Sequence, residues 1–356
     1  MNVEFIEALA EIEREKGISK DVLLEAIEAA LISSYKRNFN TAQNVRVDID
    51  RQTGVIKVYA RKTVVDEVTD SRLEISLDAA RDINPNYQLN DIVELEVTPR
   101  DFGRIAAQTA KQVVTQRIRE AERGLIYEAF VDKQDDIVTG IIRRTDARNV
   151  YVDLGKVEAV LPVHELMPTD RIVQGERIKA YITKVENTTK GPQIFLSRTH
   201  PGLLKRLFEL EVPEIYDGIV EIRSVAREAG FRSKIAVHSR NEDVDPVGAC
   251  VGQKGARVQT IVNELRGEKI DIVRWSDEVE EFVANALSPA KVLEVRVYED
   301  QKMARVIVPD HQLSLAIGIK GQNARLAAKL TGWKIDIKSE SQAAEEQLNE
   351  DSIMVE

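Results

Sequence analysis

The spacing of apolar residues changes period several times along the chain. Phe5, Leu9 and Ile12 recur at helical intervals up to Gly17, and Leu23, Ile27, Ala30 and Leu31 do the same after Ser19. This predicts two amphipathic helices, the second capped by Ser19 with Asp21 in its first turn. The period then falls to two. Val45, Val47 and Ile49 alternate with polar residues, 50–54 turns, and Ile56 and Val58 alternate back, as in a hairpin. A further strand is expected over 91–97 and a long helix over 102–121, with Arg104, Gln108, Lys111 and Thr115 on one polar face. From about 136 to 197 short β-rich runs follow one another at 137–142, 149–154, 157–161, 177–185 and 193–196. Asp146, Gly155, Gly175 and Gly191 mark the turns. Five strands with a longer connection after the third fit an OB-type barrel, and a generic antiparallel sheet fits the spacing equally well.

The rest of the chain contains an internal repeat. Gly252-Gln253-Lys254-Gly255 and Gly318-Ile319-Lys320-Gly321 lie 66 residues apart, and each is followed by a helical stretch and a similar strand, GEKIDI over 267–272 and GWKIDI over 332–337. The second spacing is 65, which places a one-residue difference inside the helix. Strands at 234–238 and 305–308 lead towards each loop. Asp245-Pro246 reads as cap and first-turn proline of the helix before the first loop, and Asp310 as the cap before the second. With leading helices over 203–211 and 276–287, each copy reads helix, strand, strand, helix, GxxG, helix, strand. That is the order of the type II KH fold.

Composition bounds what these modules can do. At 356 residues and 43% hydrophobic, the chain has room for two to four domains with real cores. No apolar run reaches membrane-spanning length and the start is acidic and amphipathic, unlike a signal peptide, so the expected setting is cytoplasmic with no membrane partner. Cys250 is the one cysteine, which excludes internal disulfides and thiolate metal clusters. His164, His200, His238 and His311 match no ligand spacing, so no metal or other cofactor is expected. The net charge of −10 looks wrong for a nucleic-acid binder until it is divided along the chain. Six acids and no bases occupy 339–356, whereas 223–274 holds ten bases against seven acids and 304–338 six against two. The acidic end reads as a disordered tail over 345–356.

A GxxG turn between two helices can bind RNA for three reasons. It exposes the amides of the second helix to a phosphate. Glycine admits a tight turn and a close backbone approach. Lys254 and Lys320 can neutralise the phosphate. A single such turn is more often a plain helical corner; two copies with a central lysine and the same trailing strand favour an RNA clamp. Val258, Ile261, Val262 and Leu265 after the first loop, and Ala324, Ala327 and Ala328 after the second, are expected in the core. Arg257, Gln322, Asn323 and Arg325 are the flanking RNA candidates. Cys250 reads as buried filler, Trp333 as core or edge more than a stacking platform, and His164 as surface. The basic stretch 100–123 leaves an anionic partner open, though a solvated helix face is the commoner meaning. No Walker loop, paired-carboxylate motif or nucleophile elbow is present, so no catalytic residue is assigned.

Four runs resemble the NusA family of bacterial transcription termination/antitermination factors: DPVGACVGQKG over 245–255, SLAIGIKGQN over 314–323, DFGRIAAQTAK over 101–111 and LFELEVPEI over 207–215. The resemblance extends from the first helices to about residue 341. It implies an α+β multidomain protein: an α/β polymerase-binding domain (1–131), an S1 domain of OB-fold barrel type (132–200) and two tandem type II KH domains (201–275 and 276–344). It further implies a monomer that binds RNA polymerase and nascent single-stranded RNA, acts on pausing, termination and antitermination, and joins other Nus factors. Arg104 and Lys111 would face polymerase and emerging RNA. The acidic C-terminal repeats of certain relatives are not found here, so autoinhibition through them is not expected. Two other readings stay open: a nuclease, since S1 and KH modules accompany phosphorolytic cores in the opposite order, and an RNA chaperone acting without polymerase.

Overall fold

The first two helices are α1 (Val3–Lys16) and α2 (Lys20–Asn38). The computed structural model describes residues 3–39 and 44–345, so the tail assigned to 345–356 lies outside the described residues from 346 onwards. The chain divides into two compact units, one ending at Ile126 and one beginning at Tyr127.

In the first unit Ile6 and Leu9 of α1 pack with Leu23, Leu24, Ile27, Leu31 and Tyr35 of α2. Ser19 stands at the start of α2 but its hydroxyl makes no capping bond. Instead the Glu13 carboxylate accepts from the Lys20 amide at 3.2 Å. The hairpin is β1 (Val45–Ile49) and β2 (Ile56–Val65), paired antiparallel. Asp50 closes its turn by accepting the Gln52 and Thr53 amides at 2.9 and 2.6 Å. β3 (Glu74–Ser76) adds in parallel to β2, and α3 (Leu77–Ile83) follows, capped by Ser76. β4 (Ile92–Glu96) pairs antiparallel with β2. α4 (Phe102–Val131) runs ten residues past the expected end at 121. Gly124 costs only about 1 kcal/mol within a helix, too little to stop one whose Ile126 and Phe130 keep the apolar spacing.

After the end of α4, the second unit continues with β5 (Ile137–Thr145), β6 (Asn149–Asp153), β7 (Glu158–Pro162), β8 (Arg177–Thr188) and β9 (Gly191–Ser197). They close in the order β5-β6-β7-β9-β8, with Val160 opposite Phe195 at the one parallel join. Closure decides for the barrel over an open sheet. Gly140 is required: a Cβ there would fall 2.4 Å from Val152 Cγ1 and 2.8 Å from the Asp153 carbonyl oxygen.

Two modules follow. The first comprises α5 (Pro201–Glu211), α6 (Pro213–Tyr216), β10 (Val220–Glu228), β11 (Arg232–Ser239), α7 (Pro246–Val251), α8 (Ala256–Glu264) and β12 (Lys269–Arg274). The second comprises α9 (Val279–Ala286), β13 (Glu294–Tyr298), β14 (Met303–Val308), α10 (Leu313–Ile317), α11 (Gln322–Thr331) and β15 (Lys334–Ser339). Each sheet runs antiparallel then parallel, β10-β11-β12 and β13-β14-β15. The extra residue of the first copy lies after the helix and not inside it. Arg266 and Gly267 turn with φ 53° and 92°, where the second copy has Gly332 alone.

β11 is buried on both faces. Ile235 and Val237 join α5 and α8, while Ala236 joins a core with Ala286, Leu326 and Leu330 of the second module. Polar joints complete the packing. Arg198 forks onto Asp170 and reaches the Glu264 carbonyl at 3.2 Å. Arg227 forks onto Glu268 at 2.9 Å with both side chains almost wholly buried. Burial alone raises the Glu268 carboxyl; Arg227, Ser233 and the Gly230 amide together bring it below the ordinary range.

Candidate nucleic-acid interface

The two GxxG turns have the same backbone. Gly252, Lys254 and Gly255 sit at φ 73°, 51° and 80°; Gly318, Lys320 and Gly321 at 77°, 52° and 73°. All six lie in the left-handed half of φ space, which glycine takes freely and lysine at a cost. The first glycine of each loop is also pressed against the residue five places on. A Cβ at Gly252 would meet Arg257 Cγ at 2.7 Å, and one at Gly318 would meet the Asn323 backbone nitrogen at 2.8 Å.

The tips face solvent. Gln253, Lys254, Ile319 and Lys320 are exposed, Ile319 at 85%. Lys254 and Lys320 make no side-chain ion pair among the described residues, so their charge is available. Beside the second loop runs a groove lined by Leu313, Ile317, Asp336, Ile337 and Lys338. Leu315, Ile317 and Ile319 leave an apolar edge in water.

The flanking candidates behave differently. Asn323 is corrected from exposed to buried, at 3%: its amide donates to the Leu287 and Ala316 carbonyls at 3.0 Å each. Arg257 is half-buried and tied to Glu214 at 2.9 Å and the Ala249 carbonyl at 2.6 Å. Gln322 and Arg325 both donate to Glu228, at 2.8 Å. Of the caps, Asp245 accepts the Gly248 amide at 3.0 Å as expected. Asp310 does not cap α10, whose N-cap is Gln312; its carboxylate takes the Ser341 hydroxyl at 2.7 Å, which holds it below the usual range.

Of the remaining candidates, Cys250 is wholly buried, and burial pushes its thiol up to about 12, so it is no nucleophile. His164 is surface and Trp333 half-buried. Arg104, Gln108, Lys111 and Thr115 form the exposed face of α4 that the spacing predicted. Two features were missed. Trp275 sits edge-on to His238 at 5.3 Å under the Arg223 guanidinium at 5.0 Å. Glu228 carried no signal in the sequence, because a lone glutamate at the end of a strand resembles any solvated one. Among the described residues no cluster of His, Cys, Asp or Glu is placed to hold a metal, and no helix is long and apolar enough to cross a membrane.

A closed OB barrel followed by two modules of this order, each presenting a GxxG turn, defines the class: a multidomain protein with RNA-binding domains of S1 and type II KH kind. Comparison with known proteins carries this further. The chain matches the NusA N-terminal domain over residues 4–124, the S1 RNA binding domain over 131–197, the NusA-like first KH domain over 198–275 and the NusA-like second KH domain over 279–345. The transcription termination/antitermination protein NusA of Halalkalibacterium halodurans is 72% identical over 351 residues, covering 99% of this chain and 92% of that relative. The protein of the same name from Bacillus subtilis is 69% identical over 345 residues, covering 97% and 93%. The solution structure of the N-terminal domain of NusA from B. subtilis is 69% identical, covers 35% of this chain and 99% of that one, and gives a TM-score of 0.32. The chain belongs to the NusA family of transcription termination/antitermination proteins.

Proposed function

We propose that the protein grips nascent single-stranded RNA with its two GxxG loops while its N-terminal domain holds RNA polymerase, and so modulates pausing, intrinsic termination and antitermination. The observation that carries this reading is the matched pair of loops, each with an exposed, unpaired lysine in a left-handed turn. Such a turn leaves room for a sugar-phosphate backbone, and the lysine supplies the counter-charge. The groove beside the second loop sets apolar Leu313, Ile317 and Ile337 among polar Asp336, Lys338, Gln342 and Glu345, and so offers bases both apolar and hydrogen-bonding contacts.

The direct contacts are Gly252, Gln253, Lys254, Gly255, Gly318, Ile319, Lys320 and Gly321. Arg257, Gln322, Asn323 and Arg325 shape the loops. Arg104 and Lys111, exposed on α4, face polymerase and the emerging transcript. The reading divides the chain at 131, 200, 275 and 344. It makes the protein a cytoplasmic monomer without catalysis or cofactor, working beside other Nus factors.

Replacing Lys254 and Lys320 together by Asp places carboxylates where phosphates bind. RNA affinity is expected to fall tenfold or more. Its salt dependence should flatten, since each lost phosphate contact removes about 0.7 from the log–log slope. On a template with a pause hairpin, the lengthened dwell given by the wild type should shrink accordingly. Unchanged affinity with an unchanged circular dichroism spectrum would sink the loop assignment. Failure of the full chain to retain core polymerase in a pull-down would sink the polymerase half.

A further inference from the structure

The second GxxG loop is not held by its own module alone. Glu228 ends β10 in the first module, with a largely covered side chain (21% exposed). Its two carboxylate oxygens are divided between two residues of the second module: Oε1 accepts Arg325 Nε and Oε2 accepts Gln322 Nε2, each at 2.8 Å. Gln322 is the first residue after the loop. Arg325 reaches back over it, with Nη1 donating to the Lys320 carbonyl at 3.3 Å and lying 4.0 Å from where a Gly321 Cβ would stand. The link therefore runs from Glu228 through Arg325 to the carbonyl of the lysine that holds a left-handed φ of 52°. Hydrogen bonds from Arg325 and Gln322 keep the Glu228 carboxyl charged, below its usual range.

Among the described residues the first loop is braced from within its own module, by Arg257 bonded to Glu214 of α6 and to the Ala249 carbonyl, and not from a neighbouring one. The residue seven places beyond Gly252 is Gln259, and it bonds Asn263 on its own helix at 2.9 Å. α11 does not depend on Glu228 for its seat, because Leu326, Ala327 and Leu330 pack with Ala226 of β10 in one apolar core.

The geometry points to Glu228 as a positioning residue for RNA: through Arg325 and Gln322 it fixes the shape of the second loop, so the first module preorganises the phosphate clamp of the second. The inference rests on the loops being RNA clamps. It makes a prediction of unexpected sign. A negative charge near a phosphate site should weaken binding by Coulomb repulsion, so removing it should tighten binding. If Glu228 instead holds the loop in its binding shape, removing it weakens binding, because RNA must then order the loop itself.

The test uses the full chain and a single-stranded RNA of mixed sequence, with Glu228→Ala, the isosteric Glu228→Gln, Lys320→Ala and Lys254→Ala. Glu228→Ala should weaken RNA binding at least threefold, with Glu228→Gln in between. The effect should largely vanish in a Lys320→Ala background and persist in a Lys254→Ala background. Amide exchange should quicken at 318–322 and stay unchanged at 252–256. Binding that tightens or holds steady on Glu228→Ala, while Lys320→Ala weakens it, overturns the inference alone. No effect of Lys320→Ala takes down the clamp reading of the second loop and this inference with it.

Discussion

Gly318 and Gly321 close the same turn under different constraints. Gly318 combines φ 77° with ψ 174°, a region open in practice to glycine only, and its missing Cβ leaves room for the backbone of Asn323. Asn323 cannot yield, since its side chain is buried and bonded to two carbonyls. Gly321 lies at φ 73°, ψ 17°, ordinary left-handed helix, with only the flexible end of Arg325 near it. Gly318→Ala should therefore cost more than Gly321→Ala, because crowding against Asn323 adds to about 1–3 kcal/mol of backbone strain, and it should displace the start of α11. Gly321→Ala should cost about 1–2 kcal/mol, the ordinary penalty for L residues in that region. Urea unfolding of the two variants compares them directly, and equal losses would refute the crowding at Gly318.

At the scale of elements, α7 is six residues long and depends on its ends. Asp245 accepts the Gly248 amide, and its other oxygen takes Arg274 at 3.0 Å. Asp245→Ala should lower unfolding stability by about 1 kcal/mol. Asp310→Ala should leave α10 intact, because that carboxylate serves Ser341, and loosen residues 340–345 instead; amide exchange separates the two effects. The contrast marks what the sequence could tell. A cap followed by proline is a local signal, and Asp245-Pro246 carried it, whereas Asp310 offered only the residue type. The repeat made the order of both modules legible, because each copy corroborated the other. β3 is three residues long, too short for alternation to show. Closure of the barrel rests on Val160 meeting Phe195, a pairing no local pattern encodes. Asn323 read as exposed because its acceptors, the Leu287 and Ala316 carbonyls, are brought to it by folding.

At the scale of the molecule, the first module buries an ion pair of its own where it meets the barrel segment, and the pH dependence of that pair has a definite sign. Arg227 forks onto Glu268 and also donates to the His200 carbonyl at 2.7 Å, at the end of the barrel segment. In the wild type the Glu268 carboxyl lies below its ordinary value. The stability it contributes is thus fully present above the unfolded pKa, about 4.3, and is lost as pH falls through the folded value. Arg227→Met leaves the carboxylate with Ser233 and Gly230 only. Burial then dominates and the folded pKa rises above 4.3, so the variant is penalised at neutral pH and relieved by protonation as the solution is acidified. Trp275 and Trp333 are the only tryptophans and both lie beyond residue 201, so their fluorescence reports unfolding of this unit. At pH 7 the variant should be less stable by about 3–5 kcal/mol, the cost of stranding one buried charge. That gap should narrow on the way from pH 7 to pH 4, as the pH falls through the variant's raised folded value. A gap that stays constant over this range would mean that Glu268 finds another partner or water when Arg227 is gone, and that the apolar neighbours rather than the ion pair hold this part of the module together.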